Sequence, residues 1–146
     1  METTLVLLKP DCVTKGQVGE VIRRFEAAGF QLRGAKMLRL NDAIIHEHYA
    51  HVEGMPFFPG LKAFMQSSPI IALALSGGNV IEQVRELLGP TDSRKAHPGT
   101  IRGDLGVDTM VNVCHASDSA EAARAELARF FRADELFTPA AVPVAA

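Results

Sequence analysis

Apolar positions along the chain change period several times, and each change marks an element. Residues 3–8 form a short β-favouring apolar run closed by Lys9-Pro10-Asp11, which predicts a buried strand ending in a turn. Val18, Val21, Ile22 and Phe25 fall at i, i+3, i+4 and i+7, the stripe of an amphipathic helix, and Gly29 stands where a left-handed C-cap would end it. Over residues 31–40, Leu32, Leu38 and Leu40 share one parity and Arg33 and Arg39 the other, as in a half-buried strand. Asn41 or Asp42 is placed to cap a short helix reaching about His51. Residues 55–60 then read as a loop and 61–67 as a helical piece. Residues 69–75 are continuously apolar, which suits a central strand, and Gly77-Gly78-Asn79 precedes a helix carrying Val80, Val84, Leu87 and Leu88.

From residue 89 to 108 the periodicity fails, and proline, glycine, threonine and charge dominate. A loop of that length in a small domain is functional or disordered. Val111 and Val113 alternate with Asn112 and Cys114 as a last strand. Asp118 with Glu121 resembles a capping box for a last helix whose core face includes Leu127 and Phe131. Setting aside the inserted helical pieces leaves β-α-β-β-α-β. That is an α+β, ferredoxin-like (split βαβ) plan: a four-stranded antiparallel sheet with covering helices and a long inserted loop. A doubly wound parallel sheet is the competing plan, but it would want more strands and a glycine-rich first turn.

Composition narrows the class. The 146 residues fit one domain, 1–146, with 138–146 as a proline-interrupted tail. Net charge is −2, so any anion site must be local rather than a field over the whole surface, and nucleic acid is not required as a partner. Cys12 and Cys114 read as reduced thiols, with Cys114 buried and inert. The N-terminus lacks a basic n-region and no apolar stretch approaches a membrane span, which predicts a cytoplasmic protein without membrane contact.

None of the common phosphate loops occurs; the chain offers scattered cationic and hydroxyl groups at element ends instead. Lys9 closes the first strand, Arg85 lies on a helix, Thr91 in the long loop, and Arg102 in Pro98-Gly-Thr-Ile-Arg-Gly-Asp104. Arginine forks suit phosphate oxygens. Taken singly, such charges are usually solvated surface groups. Of the five histidines, His46, His48 and His51 crowd one short helix without metal-ligand spacing and read as surface residues, as does His97 in the loop. His115 differs, because it ends a strand just before a helix cap, where rigid scaffolds display reactive groups. A histidine nucleophile needs one ring nitrogen free and the other held by an acceptor. Glu126, two turns into the following helix, can lean back to the ring, and Ser117 can support that carboxylate.

Taken together, Leu8-Lys-Pro-Asp11, Glu47-His-Tyr49, Pro56-Phe-Phe58, Pro98-Gly-Thr-Ile-Arg-Gly-Asp104 and Asn112-Val-Cys-His-Ala-Ser-Asp-Ser119 resemble the nucleoside diphosphate kinase family. The resemblance runs in order from about Thr4 to Leu136. It implies ping-pong transfer of a γ-phosphoryl group from a nucleoside triphosphate to a nucleoside diphosphate through a phosphohistidine on His115. By the same resemblance, Glu126 orients the imidazole and Ser117 supports it. Lys9 and Tyr49 lie beside the transferring phosphate, and Lys9 with Asn112 also meets the ribose hydroxyls. Arg85, Thr91 and Arg102 clamp the phosphates, and Phe57 stacks on the base. Mg2+ would arrive on the nucleotide phosphates, without a protein metal cage, and a homo-oligomer (hexamer or tetramer) is implied.

The chain departs from the family pattern at three places. Ala116 and Cys12 stand where glycine is usual, and ordinary negative φ is expected at both, with activity retained. Ser93 replaces a usual proline in a region the family uses for subunit contacts. A non-catalytic module that holds nucleotide or single-stranded nucleic acid, suggested by the ferredoxin-like plan and by Phe57 with Phe58, is the alternative. It has no chemical need of the histidine, glutamate and cations together.

Overall fold

The computed structural model describes residues 2–140, so the last six residues of the expected tail lie outside the described residues. The strands are β1 (Glu2–Leu8), β2 (Gln31–Leu38), β3 (Ile70–Gly77) and β4 (Cys114–Ala116). They form one antiparallel sheet in the order β2-β3-β1-β4. This is the ferredoxin-like arrangement expected from the pattern, and the parallel alternative is excluded.

Central β1 and β3 are covered on both faces, which is why each reads as an unbroken apolar run rather than an alternation. On one face, α2 (Val18–Ala27) and α5 (Val80–Leu88) pack Val21, Phe25, Val80 and Val84 against Val6, Leu8, Leu73 and Leu75. On the other, α3 (Asp42–His48) and α4 (Phe58–Gln66) bring Ile45, Phe58 and Met65 onto Leu5, Leu7, Ala72 and Ala74. The chain's last helix, α7 (Ala120–Phe130), lies beside β1 and β4 and contributes to both cores, with Ala123 in the first and Phe130 in the second.

Several boundaries differ from the sequence reading. Strand β2 stops at Leu38, with an irregularity between Leu32 and Gly34 that breaks the simple parity. The Lys9-Pro10-Asp11 turn opens a one-turn helix, α1 (Pro10–Thr14), because proline fits a first helical position. Helix α4 starts three residues before the expected Leu61, since Pro59 sits within its first turn. Asn41 caps α3 by accepting from the Ile44 amide, but that helix ends at His48 and a 3-10 turn (Ala50–Val52) follows. Gly29 has the positive φ expected of a C-cap, +91°.

The expected capping box at Asp118 does not form. The Ser117 amide continues the ladder to the Leu5 carbonyl, so the chain turns one residue later and the Ser119 hydroxyl accepts from the Ala122 amide. Nor is the span 89–108 structureless: it holds a 3-10 turn (Ser93–Lys95) and a helix α6 (Ile101–Leu105), whose Thr100 cap accepts from the Gly103 amide.

The largest departure is the last strand. The expected strand 111–114 is a turn, and β4 begins only at Cys114. Val113 has φ +77°, a left-handed value that is an outlier for a β-branched residue, and the Cys114 amide donates across it to the Asn112 carbonyl at 2.9 Å. The strained turn is held from both sides. The Lys9 amide donates to the Val113 carbonyl, and the Val113 amide donates to the Asp11 carboxylate, 3.0 Å away. Alternation of Val and polar residues does not report a γ-turn, and Asp11 lies about a hundred positions away. The turn starts β4 in the register that places His115 opposite Leu7.

Candidate active site

Directly opposed residues in an antiparallel pair share a face, so the pairing with Leu7 puts His115 on the α3/α4 side of the sheet. There it lines a cleft of about 550 Å³ together with Lys9, Tyr49, Phe57, Arg85, Thr91, Arg102 and Asn112. Eight residues from five separate stretches of sequence therefore meet in one place. Glu126 and Ser117 stand behind the histidine. An adjoining open depression of about 530 Å³ shares Arg85 and Asp118, but Glu2, Glu82 and Glu86 make its wall repel phosphate.

The imidazole is half-buried and held from behind. Its Nε2 lies 2.8 Å from Glu126 Oε1, and the Ser117 hydroxyl donates to the same oxygen at 2.8 Å. Burial alone would raise the Glu126 pKa, but the hydrogen bonds from His115 and Ser117 outweigh it and hold the carboxyl below its ordinary value. An ionised carboxylate only accepts, so His115 Nε2 carries the proton and the Nδ1 lone pair is left available. Tyr49 is kept in its protonated form, its pKa pushed up to about 12 by burial and by the Glu126 charge.

Lys9 caps β1 with its ammonium buried. It donates to Asn112 Oδ1 at 2.8 Å and to the Met110 carbonyl, and lies over the Phe64 ring. Burial lowers its pKa from 10.5 to about 8, against the attraction of Asp11. In the unfolded chain Lys9 keeps its proton up to about its ordinary value, so between the two values the unfolded state binds more protons. The unfavourable burial is therefore full below pH 8 and is relieved as pH rises through that window. For an anionic ligand the sign is opposite, because the cation disappears over the same range. Affinity for a polyphosphate ligand is expected to fall severalfold between pH 7 and pH 9.5, with a flatter profile in Lys9→Arg; calorimetric titration at a series of pH values measures it.

Arg102 is buried, and each nitrogen of its guanidinium has a carbonyl: Nε to Asn112 at 3.2 Å, and the two terminal nitrogens to Gly89 at 3.1 Å and Cys114 at 2.7 Å. Burial, then the neighbouring Arg85, lowers its pKa. Asn112 is committed in the same way, donating to the Thr91 and Thr109 carbonyls while accepting from Lys9. Both residues thus build the cleft wall as well as lining it. Arg85 and Thr91 are exposed at the mouth, and Phe57 is 53% exposed, free to present its ring to a planar group.

Ala116 and Cys12 both have ordinary negative φ, as expected, so neither position demands glycine. Cys114 is fully buried and its thiol is pushed up to about 12, inert as expected. The reading of His48 as a surface residue is wrong. It is 6% exposed and its ring stands edge-on to His115, 4.9 Å between centroids. Helical spacing carried the signal: Ile44, Ile45 and His48 share the buried stripe of α3. Asp11 and Arg129, which brace Val113 and His48, were also missed, because their partners are remote in sequence.

An imidazole with one nitrogen fixed by a carboxylate and the other open, set among a lysine and two arginines, is the equipment of a phosphotransferase. A nucleoside diphosphate kinase family model matches residues 2–136. A nucleoside diphosphate kinase of Pelotomaculum thermopropionicum is 47% identical over 93% of this chain and 91% of its own length; one of Staphylothermus marinus is 50% identical over 92% and 96%. Among solved structures, a halophilic nucleoside diphosphate kinase from Halobacterium salinarum in complex with CDP superposes with a TM-score of 0.93 at 42% identity, covering 96% of this chain and 93% of that one. The Aquifex aeolicus nucleoside diphosphate kinase gives 0.88 at 41% identity, covering 92% and 98%. The chain belongs to the nucleoside diphosphate kinase family and is an enzyme of phosphoryl transfer between nucleotides.

Proposed function

We propose that His115 carries the phosphoryl group in a ping-pong exchange between nucleoside tri- and diphosphates. The single observation that carries this reading is the Glu126–His115 hydrogen bond, which fixes the proton on Nε2 and leaves Nδ1 as the nucleophile. The Nδ1 lone pair forms the bond to the γ-phosphorus as the bond from that phosphorus to the β-phosphate oxygen breaks. The nucleoside diphosphate leaves with the electron pair. The ring, still protonated at Nε2, becomes a phosphoimidazolium whose positive charge is offset by Glu126. A terminal oxygen of a second nucleoside diphosphate then attacks the same phosphorus as the Nδ1–phosphorus bond breaks, its electron pair returns to Nδ1, and the ring is neutral again.

Lys9, Arg85 and Arg102 offset the charge on the phosphate oxygens, with Tyr49 and Thr91 as hydroxyl donors and Asn112 beside the ribose. Phe57 offers a face on which any base can stack, which supports broad base acceptance. Among the described residues no three carboxylate, histidine or cysteine side chains are grouped as a metal cage. Mg2+ would be carried in by the phosphates, and the exposed Asp118 is the one carboxylate among the residues that line the cleft. Bound there, the ion would neutralise phosphate charge and shield the leaving group.

The whole chain is read as one catalytic domain with a short tail, working in the cytoplasm. No helix among the described residues is long and apolar enough to cross a membrane. Exposed Met37 on edge strand β2 and exposed Phe137 support a homo-oligomer. Incubation with Mg-ATP labelled in the γ-phosphate is expected to leave an acid-labile, base-stable phosphate on the protein, chased off by any nucleoside diphosphate. Absence of label under those conditions removes the reading.

A further inference from the structure

His48 is buried directly behind His115, and neither its burial nor its partners are explained by the chemistry above. Its ring meets His115 edge-on at 4.9 Å with planes at 84°, and it is itself wedged against Tyr49 at 4.8 Å and Phe130 at 5.2 Å, again edge-on. An Arg129 terminal nitrogen lies 2.8 Å from His48 Nδ1, and the Arg129 Nε lies 3.3 Å from the Glu47 carboxylate. A guanidinium only donates, so His48 Nδ1 is an acceptor and its rotation is locked.

Behind this ring opens a depression of about 380 Å³, walled by His48, His51, Glu126 and Arg129. His115 lines the front cleft and His48 the rear one, with the two rings in edge-on contact between them and Asp118 at the rim of both. Without the ring packed edge-on against it, the His115 imidazole has room to tilt out of line with its Glu126 hydrogen bond, and both the tautomer and the aim of Nδ1 are lost.

We propose that His48 is a positioning residue for His115: its flat ring, locked by Arg129, is the wall that keeps the nucleophile against Glu126 and facing the cleft. His48 is faced by Arg129 and Glu126 of α7, by His115 of β4 and by His51 of the following turn. Burial, then His115, lowers its pKa to about 3, so the wall is neutral and adds no positive charge beside a phosphoimidazolium.

This role rests on His115 as the nucleophile, so the first measurement needs no turnover. In the full chain labelled with 15N-histidine, long-range 1H–15N spectra read the tautomer of His115. The wild type is expected to show one form, protonated at Nε2. In His48→Ala the two ring nitrogens are expected to shift toward each other, and in His48→Phe, which keeps a flat ring, the wild-type pattern returns. Rapid-quench phosphorylation by Mg-ATP is expected to slow at least tenfold in His48→Ala and to stay within threefold of wild type in His48→Phe, with ADP affinity unchanged within twofold in both. His48→Val, which is smaller than the ring and leaves part of that space open, takes the place of the alanine variant if that chain does not fold, with the same expectation. An unchanged tautomer in the alanine or valine variant, or a phenylalanine variant no better than alanine, overturns the proposal. A wild type that shows the expected tautomers but takes no phosphate overturns the nucleophile reading and leaves the positioning of the ring standing.

Discussion

Replacing His115 with asparagine is expected to abolish the phosphoenzyme and to lower kcat on the order of 10⁴-fold or more, with little change in nucleotide affinity. The expectation follows from where the side chain sits. Asparagine has a carbonyl and an amide near the old ring position but no basic nitrogen whose lone pair can attack phosphorus. The cations proposed to hold the nucleotide, Lys9, Arg85 and Arg102, come from the end of β1, from α5 and from α6 and do not depend on the His115 ring for their own placement. The core should also survive, since His115 is 28% exposed in its side chain and its one hydrogen bond is to Glu126. Quench-flow with labelled ATP measures the first effect and ADP titration the second. A variant that still takes label, or that loses nucleotide affinity in proportion to rate, contradicts the assignment.

Arg102→Met is expected to fail differently, by losing structure and function together. Methionine fills much of the volume but leaves the Gly89 and Cys114 carbonyls without the Arg102 donor, while the Asn112 carbonyl keeps only its bond from the Cys114 amide. A buried unsatisfied carbonyl costs about 1–3 kcal/mol, and partial solvation of the two still leaves a combined loss of about 2 kcal/mol or more. For a domain of this size that lowers Tm by roughly 6 °C. Those carbonyls tie the end of α5, the Val113 turn and β4 to one another, so nucleotide affinity should fall as well. Arg102→Lys is expected to be intermediate, because one ammonium does not span three carbonyls set around a planar fork. Thermal unfolding and ADP titration on the same samples separate these outcomes. Unchanged stability with weakened binding would make Arg102 a phosphate contact only.

Much of this was legible in the chain itself. The apolar runs of β1 and β3 and the stripe of α2 follow from local periodicity, and so did the ferredoxin-like plan. Glu126 and Ser117 were found because both lie within eleven residues of His115, on the strand and helix that pack beside each other. His48 was misjudged although its stripe with Ile44 and Ile45 was visible; three histidines within six residues looked like a polar surface and outweighed the period. The strand expected at 111–114 failed for a deeper reason. Val113 is held at positive φ by Lys9 and Asp11, groups that no local window contains.

By itself, the sequence determined the apolar faces that form the core, the order of strands and helices, and the chemical groups at hand: an imidazole, a carboxylate and a hydroxyl to support it, a lysine and arginines at element ends. These are properties of single residues and of short periods. Only the tertiary structure decided which His115 nitrogen is free, that Lys9 loses part of its basicity, that Arg102 and Asn112 knit the cleft wall, and that His48 is buried edge-on against His115. Each of those depends on burial or on a directional hydrogen bond between residues far apart in the chain, and the sheet register that brings them together is set by the whole core at once.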